Sequence, residues 1–411
     1  MANTFKFGNG NWAVKDGLAL AYNDENNNFK PLPFDFTRAS TATRVNKDAL
    51  IETVPSGKAR IDFLNNTSGH LLLEPSRTNA QPYSEQFDNS AWTKGNSSIS
   101  ANQTIAPDGS QTADKWIEAS DTNLAHTLSD FANIGSAGTY HFSCFFKKSE
   151  RTRIAVGSLS GGAAGAIFDL DNGTIVRASE GITTASKIED FGNGWFRCIV
   201  TIVASSAVTA GFTLVSSGTT TTYDGDGSSG LFVWGAQLET GSYATSYIPT
   251  EDSSVTRVID NIDLTLPDVN AFNSSSGFSV IAKFDISEAG SGSSIPFLFF
   301  EDDTSSTYIG FGTTSTNFRC RLNLSGSAYL NTQSNAPRTQ KNSLFIACDS
   351  SGWSQGANGS TNHTGSNDAS VFDKMASITF ITDESRGIIK ISELLVYNTR
   401  LTNTELQNLT S

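Results

Sequence analysis

Helical periodicity is nearly absent from this chain. Apolar residues come in short alternating or continuous runs divided by Gly, Asn, Asp and Ser clusters. That is the pattern of many short strands joined by turns. The stretch Thr139–Lys148 (TYHFSCFFKK) sets Tyr140, Phe142, Cys144 and Phe146 on one face of a strand, with His141 on the exposed one. Phe168–Val176 (FDLDNGTIV) reads as a hairpin, because Asn172-Gly173 supplies two residues suited to the positive φ angles of a type I′ turn. A single short helix is expected at the tail, Leu401–Leu409, where Thr402 and Glu405 have capping-box spacing. The expected fold class is all-β: an irregular N-terminal arm followed by two β-sandwich (jelly-roll) domains.

Three segments separate along the 411 residues. Residues 1–85 hold five of the ten prolines and only brief apolar stretches (LALAY, IDFL, HLLLEP), so an arm or small docking segment is expected there. Within it, Arg38 and Arg44 flank small hydroxyl residues, as a solvated turn or a contact for an acidic partner would. Residues 86–250 carry strands spaced as in a jelly roll, and residues 251–411 a second series that reads as another two-sheet sandwich.

Charge narrows the partners. Residues 1–80 carry nine basic and eight acidic side chains, while residues 81–411 carry 19 basic and 33 acidic. The larger part would repel a phosphate backbone, which excludes nucleic acid as its ligand. The longest apolar run, Ile295–Phe300, is far short of the ~20 residues of a membrane span. The four cysteines, Cys144, Cys198, Cys320 and Cys348, lie in apolar strands without metal-ligand spacing and read as buried free thiols; a Cys144–Cys198 bridge is the alternative. The opening residues lack the basic and apolar regions of a secretory leader, although the body has the Ser, Thr, Asn and Gly content of an extracellular protein. Release by lysis as part of a particle reconciles the two.

Asn89–Lys94, Pro107–Trp116, Gly194–Ile202 and Phe232–Thr250 (FVWGAQLETGSYATSYIPT) resemble a family of phage structural proteins. Phe36–Glu52 and Leu71–Asn79 resemble the lead-in segment of the same family. Its central domain is similar to carbohydrate-binding jelly rolls, and Gly387–Leu409 resembles the end of a concanavalin A or laminin-G sandwich. The resemblance implies a tail or head fibre component of the virion, made in the host cytoplasm and acting outside. It also implies contact with host-surface glycans, docking to other virion proteins through the N-terminal segment, and a homo-oligomer, with a trimer favoured.

No catalytic residues emerge. Glycoside hydrolysis needs two facing carboxylates, and the contiguous Glu301-Asp302-Asp303 points neighbours to opposite faces. The four histidines accompany no nucleophile elbow and no HExxH helix. The chain is therefore expected to bind rather than to catalyse. Sugar stacking calls for an accessible aromatic beside amides and carboxylates: Trp353 in a polar glycine-rich stretch, Tyr223 before DGDGSSG, and Trp116 after PDGSQTADK are the candidates. Oxygen ligands for Ca2+ are sought at Asp224 and Asp226; by similarity to carbohydrate-binding jelly rolls, Asp108 and Glu239 join them. Two alternatives stand beside the glycan-contacting fibre protein: a head or tail decoration protein that binds no glycan, and a glycan hydrolase with carboxylates brought together only in the fold.

Overall fold

Turn residues cut the chain into strands too short to stand alone, so their apolar faces must be buried against other strands. A computed structural model shows how. It describes residues 4–7, 12–15, 18–23, 28–31, 35–130, 134–159, 165–265, 277–288, 295–302, 308–313, 317–324, 327–337, 341–366, 375–380, 387–397 and 399–411. The protein is all-β, with one helix among the described residues, Asn403–Thr410. The chain divides into two compact units, one of residues 1–41, 54–76 and 258–411, the other of residues 42–53 and 77–257.

The second unit is a sandwich of two antiparallel six-stranded sheets. One runs Trp92–Gly95, Thr127–Asp130, Ala210–Val215, Arg153–Ser158, Ala166–Asp169, Thr174–Arg177. The other runs Ser97–Thr104, Ala113–Glu118, Gly230–Thr240, Gly138–Lys148, Trp195–Ala204, Thr183–Asp190. Trp92, Trp116, Phe142, Phe146, Phe168, Phe212 and Leu231 fill the space between them. Cys144 and Cys198 are direct cross-strand partners, and all four cysteines are buried free thiols.

The back of the second sheet is covered as well, contrary to the expectation of a solvated face. His141 is buried, with Nδ1 3.3 Å from Thr201 Oγ1. The cover includes Tyr243, Tyr247 and Ile248, which are buried, and Phe145 meets Trp234 and Tyr247 edge to face. The polar residues of the WGAQLE run tie this cover down. Gln237 Oε1 accepts from the Ile248 amide at 2.6 Å, and Arg197 donates to the Thr245 carbonyl at 2.7 Å. Gly235 takes a φ of +65° where the register with Gly138–Lys148 slips, and a Cβ there would lie 2.9 Å from the Phe145 ring. The residues most specific to the phage resemblance thus build the interior of this unit.

The hairpin at Asn172-Gly173 is longer than a type I′ turn. Asp169 Oδ1 accepts from the amides of Asp171 and Asn172, so the connection spans residues 170–173 and only Gly173 has positive φ. The side-chain turn of Asp169 competes successfully with the two-residue form.

In the first unit an eight-stranded sheet faces a seven-stranded one. The former runs Ser360–Gly365, Gly352–Ala357, Lys341–Asp349, Phe278–Glu288, Ile388–Tyr397, His70–Leu73, Arg60–Asp62, with Thr4–Phe7 also paired to Ile388–Tyr397. The latter runs Ser327–Pro337, Asn317–Leu324, Tyr308–Thr313, Ile295–Asp302, Met375–Phe380, Ile262–Thr265, Asp35–Phe36. Their shared core includes Leu71, Val280, Phe284, Phe311, Phe318, Ile346 and Ile389. On the outer face of the eight-stranded sheet, Ile281, Phe345 and Leu395 pack under Leu406 of the helix. That helix opens with the expected capping box, Thr402 and Glu405 each bonding the other's backbone amide.

The expected arm, residues 1–85, is therefore not a separate body. HLLL and RID are too brief to make a core, so they complete someone else's: His70–Leu73 pairs with Ile388–Tyr397, and Ile61, Leu71 and Leu73 join its core. Residues 42–53 and 77–85 belong instead to the other unit. Arg38 and Arg44 are not solvated either. Arg44 pairs with Glu52, while Arg38 is 2 % exposed and pairs with Asp260 at 2.9 Å. Asp260 also pairs with Arg60, and Arg60 with Glu74 at 2.6 Å. Removing one member of such a buried network strands the others' charges. Asp260→Asn should lower the stability of the first unit by about 3–5 kcal/mol, read as an earlier urea transition; an unchanged midpoint would show that the network is dispensable.

Candidate functional site

Stacking requires an aromatic that reaches solvent, and the three expected aromatics differ sharply on that point. Trp116 is fully buried in the core of the second unit, its indole N–H without a hydrogen-bond partner among the described residues. Alternation along Ala113–Glu118 turns it inward together with Asp114 and Glu118, leaving Lys115 and Ile117 on the opposite side. Trp116 is a core residue, not a platform.

Tyr223 is half-buried, and its surroundings are already satisfied. Glu118, 1 % exposed, accepts from Tyr223 Oη at 2.8 Å, from Arg151 at 2.7 and 2.5 Å, and from the Asp226 amide at 3.0 Å. The Arg151 guanidinium lies 5.0 Å from the Tyr223 ring centre, and the His126 ring 4.7 Å from it. Burial and the neighbouring Glu118 carboxylate both push the Tyr223 phenol well up, so it remains a neutral donor. Glu118, held below the ordinary carboxylate range by Arg151 and these donors against the opposing effect of burial, stays ionised. The residues that organise this corner, Glu118 and Arg151, carry no local sequence signal: one ends a strand and the other lies in a turn far along the chain.

The expected calcium ligands do not converge. Asp224 accepts from the Asn123 amide, and Asp226 caps its own loop through the amides and hydroxyls of Ser228 and Ser229. Asp108 does the same with Ser110. Glu239 is buried and holds the Thr245 amide and hydroxyl. Only Asp226 and Tyr223 meet, through Glu118. Among the described residues, no three His, Cys, Asp or Glu side chains come together in a metal-binding group. Asp108 and Asp226 are loop caps, the role short acidic side chains play in turns, while Asp224 ties its loop to the one at Asn123. Of the acidic run at 301–303, Asp303 and the side chains of Glu301 and Asp302 lie outside the described residues.

Trp353 is half-buried like Tyr223 and packs at the margin of the first unit's core. The polar stretch around it is a hairpin, Gly352–Ala357 with Ser360–Gly365, not the loop its composition suggests. Asn358 and Gly359 at the turn have φ of 50° and 74°, the two positive angles of a type I′ turn. This dipeptide was the signal that would have revealed the hairpin. Trp353 and Ala357 face the core, which places Gln355 between them on the same face. Gln355 is buried, and its cross-strand partner His363 is exposed on the edge strand. The half-buried indole lies across Gly365, where a Cβ would come within 2.4 Å of its Nε1. A half-buried aromatic and an exposed imidazole thus lie near the open edge of this sheet, with the buried Gln355 amide between them.

No family profile matches the chain and no curated protein matches it. Solved structures similar to parts of it include the binding domain of Botulinum neurotoxin DC in complex with rat synaptotagmin II, with 14% identity and a TM-score of 0.31 over 40% of this chain and 41% of that one. The botulinum neurotoxin serotype D binding domain gives 13% identity and a TM-score of 0.30 over 37% of this chain and 40% of that one. The chain thus spans about two fifths of the length of these neurotoxin domains. The Ruminococcus gnavus IT-sialidase CBM40 bound to alpha2,3 sialyllactose gives 12% identity and a TM-score of 0.28 over 34% of this chain and 84% of that one.

Elsewhere in the second unit, burial raises Glu85 from 4.5 to about 7, partly offset by the hydrogen bond from Tyr247. An acid whose folded value lies above its unfolded one binds more protons when folded, so stability falls as pH rises from about 4.5 to about 7. Glu85→Gln keeps an acceptor for Tyr247 and should raise the melting temperature at pH 8 while leaving it unchanged near pH 4. Equal shifts at both pH values would refute the assignment.

Proposed function

We propose that this chain is a glycan-contacting component of a phage particle that works by association and breaks no bond. The observation that carries the reading is the edge of the eight-stranded sheet, where half-buried Trp353 lies beside Gln355 and exposed His363. The indole offers an apolar face to a sugar ring, and the exposed imidazole of His363 offers a polar contact to its hydroxyls. The sequence resemblance to phage structural proteins supplies the setting: a fibre or appendage, docked to other virion proteins through its N-terminal segment, with a homo-oligomer, a trimer first, multiplying weak sites. The ligand is a host-surface polysaccharide.

A decoration protein without glycan binding is the second reading. It is favoured by the second unit, where Trp116 is core and Tyr223 is engaged by Glu118. Binding of the purified full chain to a glycan array and to intact host bacteria separates the two. Trp353→Ala and His363→Ala should each weaken saturable binding by about ten-fold or more, since losing a stacking aromatic costs on the order of 1–3 kcal/mol. His363→Ala, at an exposed position, guards against loss of fold. No binding by the intact wild type, or binding indifferent to both variants, would overturn the Trp353 site and leave the decoration protein.

A further inference from the structure

Beside the Tyr223 corner lie buried acceptors that no described residue satisfies. His126 is fully buried in the loop that follows Ala113–Glu118, with its Nδ1 2.8 Å from the Asn96 carbonyl oxygen. The same carbonyl accepts from the Ala119 amide, and Asn96 Nδ2 donates to the Ala125 carbonyl, so Asn96 clamps both ends of that loop. A ring that donates from Nδ1 leaves Nε2 as its acceptor in the neutral state. Among the described residues, Nε2 is buried without a hydrogen-bond partner, and so are both carboxylate oxygens of Asp121. Nε2 and Asp121 Oδ1 are 3.6 Å apart.

Three buried acceptors facing one another with no donor is an unfavourable arrangement for a folded protein. A direct imidazolium–carboxylate hydrogen bond would close to about 2.7–2.9 Å. The observed separation instead suits a bridging ion: two bonds of about 2.1 Å spanning it enclose an angle of about 118°, near tetrahedral. The orientation of the ring matches as well, because a metal-ligating histidine is ordinarily fixed through its other nitrogen by a carbonyl or carboxylate. Gly225 keeps the approach to Nε2 open; a Cβ there would lie 3.1 Å from Nε2 and 2.1 Å from the Ala119 carbonyl oxygen.

The geometry points to a divalent transition-metal site formed by His126 Nε2 and the Asp121 carboxylate, with water completing the shell. An imidazole ligand selects Zn2+-like ions over Ca2+, which takes oxygen. The ion would cross-link the loop after Ala113–Glu118, next to the pairing of Leu124–Ala125 with Thr222–Tyr223, and its binding free energy would add to the stability of this end of the second unit.

The test is calorimetric titration of the tag-free full chain with Zn2+ at pH 7.5 after stripping with EDTA. Visible absorption with Co2+ reports the coordination independently. One equivalent of Zn2+ should bind per chain and raise the melting temperature. Asp121→Asn and His126→Gln should each weaken binding by at least about ten-fold, while Asp108→Asn leaves it unchanged. Asp121 is more exposed than His126, 16 % against 0 % of the side chain, so its variant decides the matter should His126→Gln fail to fold. Absence of Zn2+ uptake by the wild type at millimolar metal would overturn the site in favour of a direct ion pair or a buried water. Uptake insensitive to both variants would overturn it in favour of adventitious surface binding.

Discussion

Four buried charges hold the first unit together across the chain. Arg38 and Arg60 share Asp260, Arg60 reaches on to Glu74, and the Glu74 amide donates to Asp260 at 2.9 Å. Desolvating these groups costs several kcal/mol per ion unless each finds its partner. Only the arrangement that brings residues 38, 60, 74 and 260 together supplies all of them. The network therefore selects one placement of the early segments in preference to any other that would bury the same apolar area, a use of buried polarity as specificity. Leu71 and Leu73 add core contacts, but their apolar side chains would accept several registers; the charges accept one.

Local chemistry was legible in the sequence and distant chemistry was not. The capping box of Thr402 and Glu405 involves residues three apart, and it formed as read. The strand-rich fold follows from alternation that any short window shows. Arg38, by contrast, meets a carboxylate 222 residues away, so no window could tell it from a solvated arginine. Competing local signals also misled. Asp169 captured two amides and stretched a turn that Asn172-Gly173 alone would have kept short, whereas Asn358-Gly359, unopposed, made the tight hairpin that carries Trp353. Among the site candidates, Asp108 and Asp226 looked like ion ligands and serve as turn caps, because a carboxylate two residues ahead of a free amide will take it.

The same division separates architecture from recognition. In the second unit the polar residues of the WGAQLE run, Gln237 and Glu239 included, are spent inside, lashing the segment 242–250 to the sheet. A motif of this kind marks a fold and is silent on ligand choice. The proposed sites of recognition lie where the interior is unfinished: the sheet edge at Trp353, where a core face runs out into solvent, and the His126 loop, where polar atoms are buried without donors among the described residues.

The pairing of His70–Leu73 with Ile388–Tyr397 has a consequence in time. During synthesis the earlier strand leaves the ribosome roughly 300 residues before its partner, a wait of roughly 15 to 60 s at ordinary elongation rates. Residues 77–257 are all synthesised within that interval, while the edge of His70–Leu73, three leucines among its four residues, still lacks its later partner. Such an edge is a template for another nascent chain on the same messenger. A slow codon tract or a chaperone acting within that window would therefore influence the yield of native protein more than any change in its final stability.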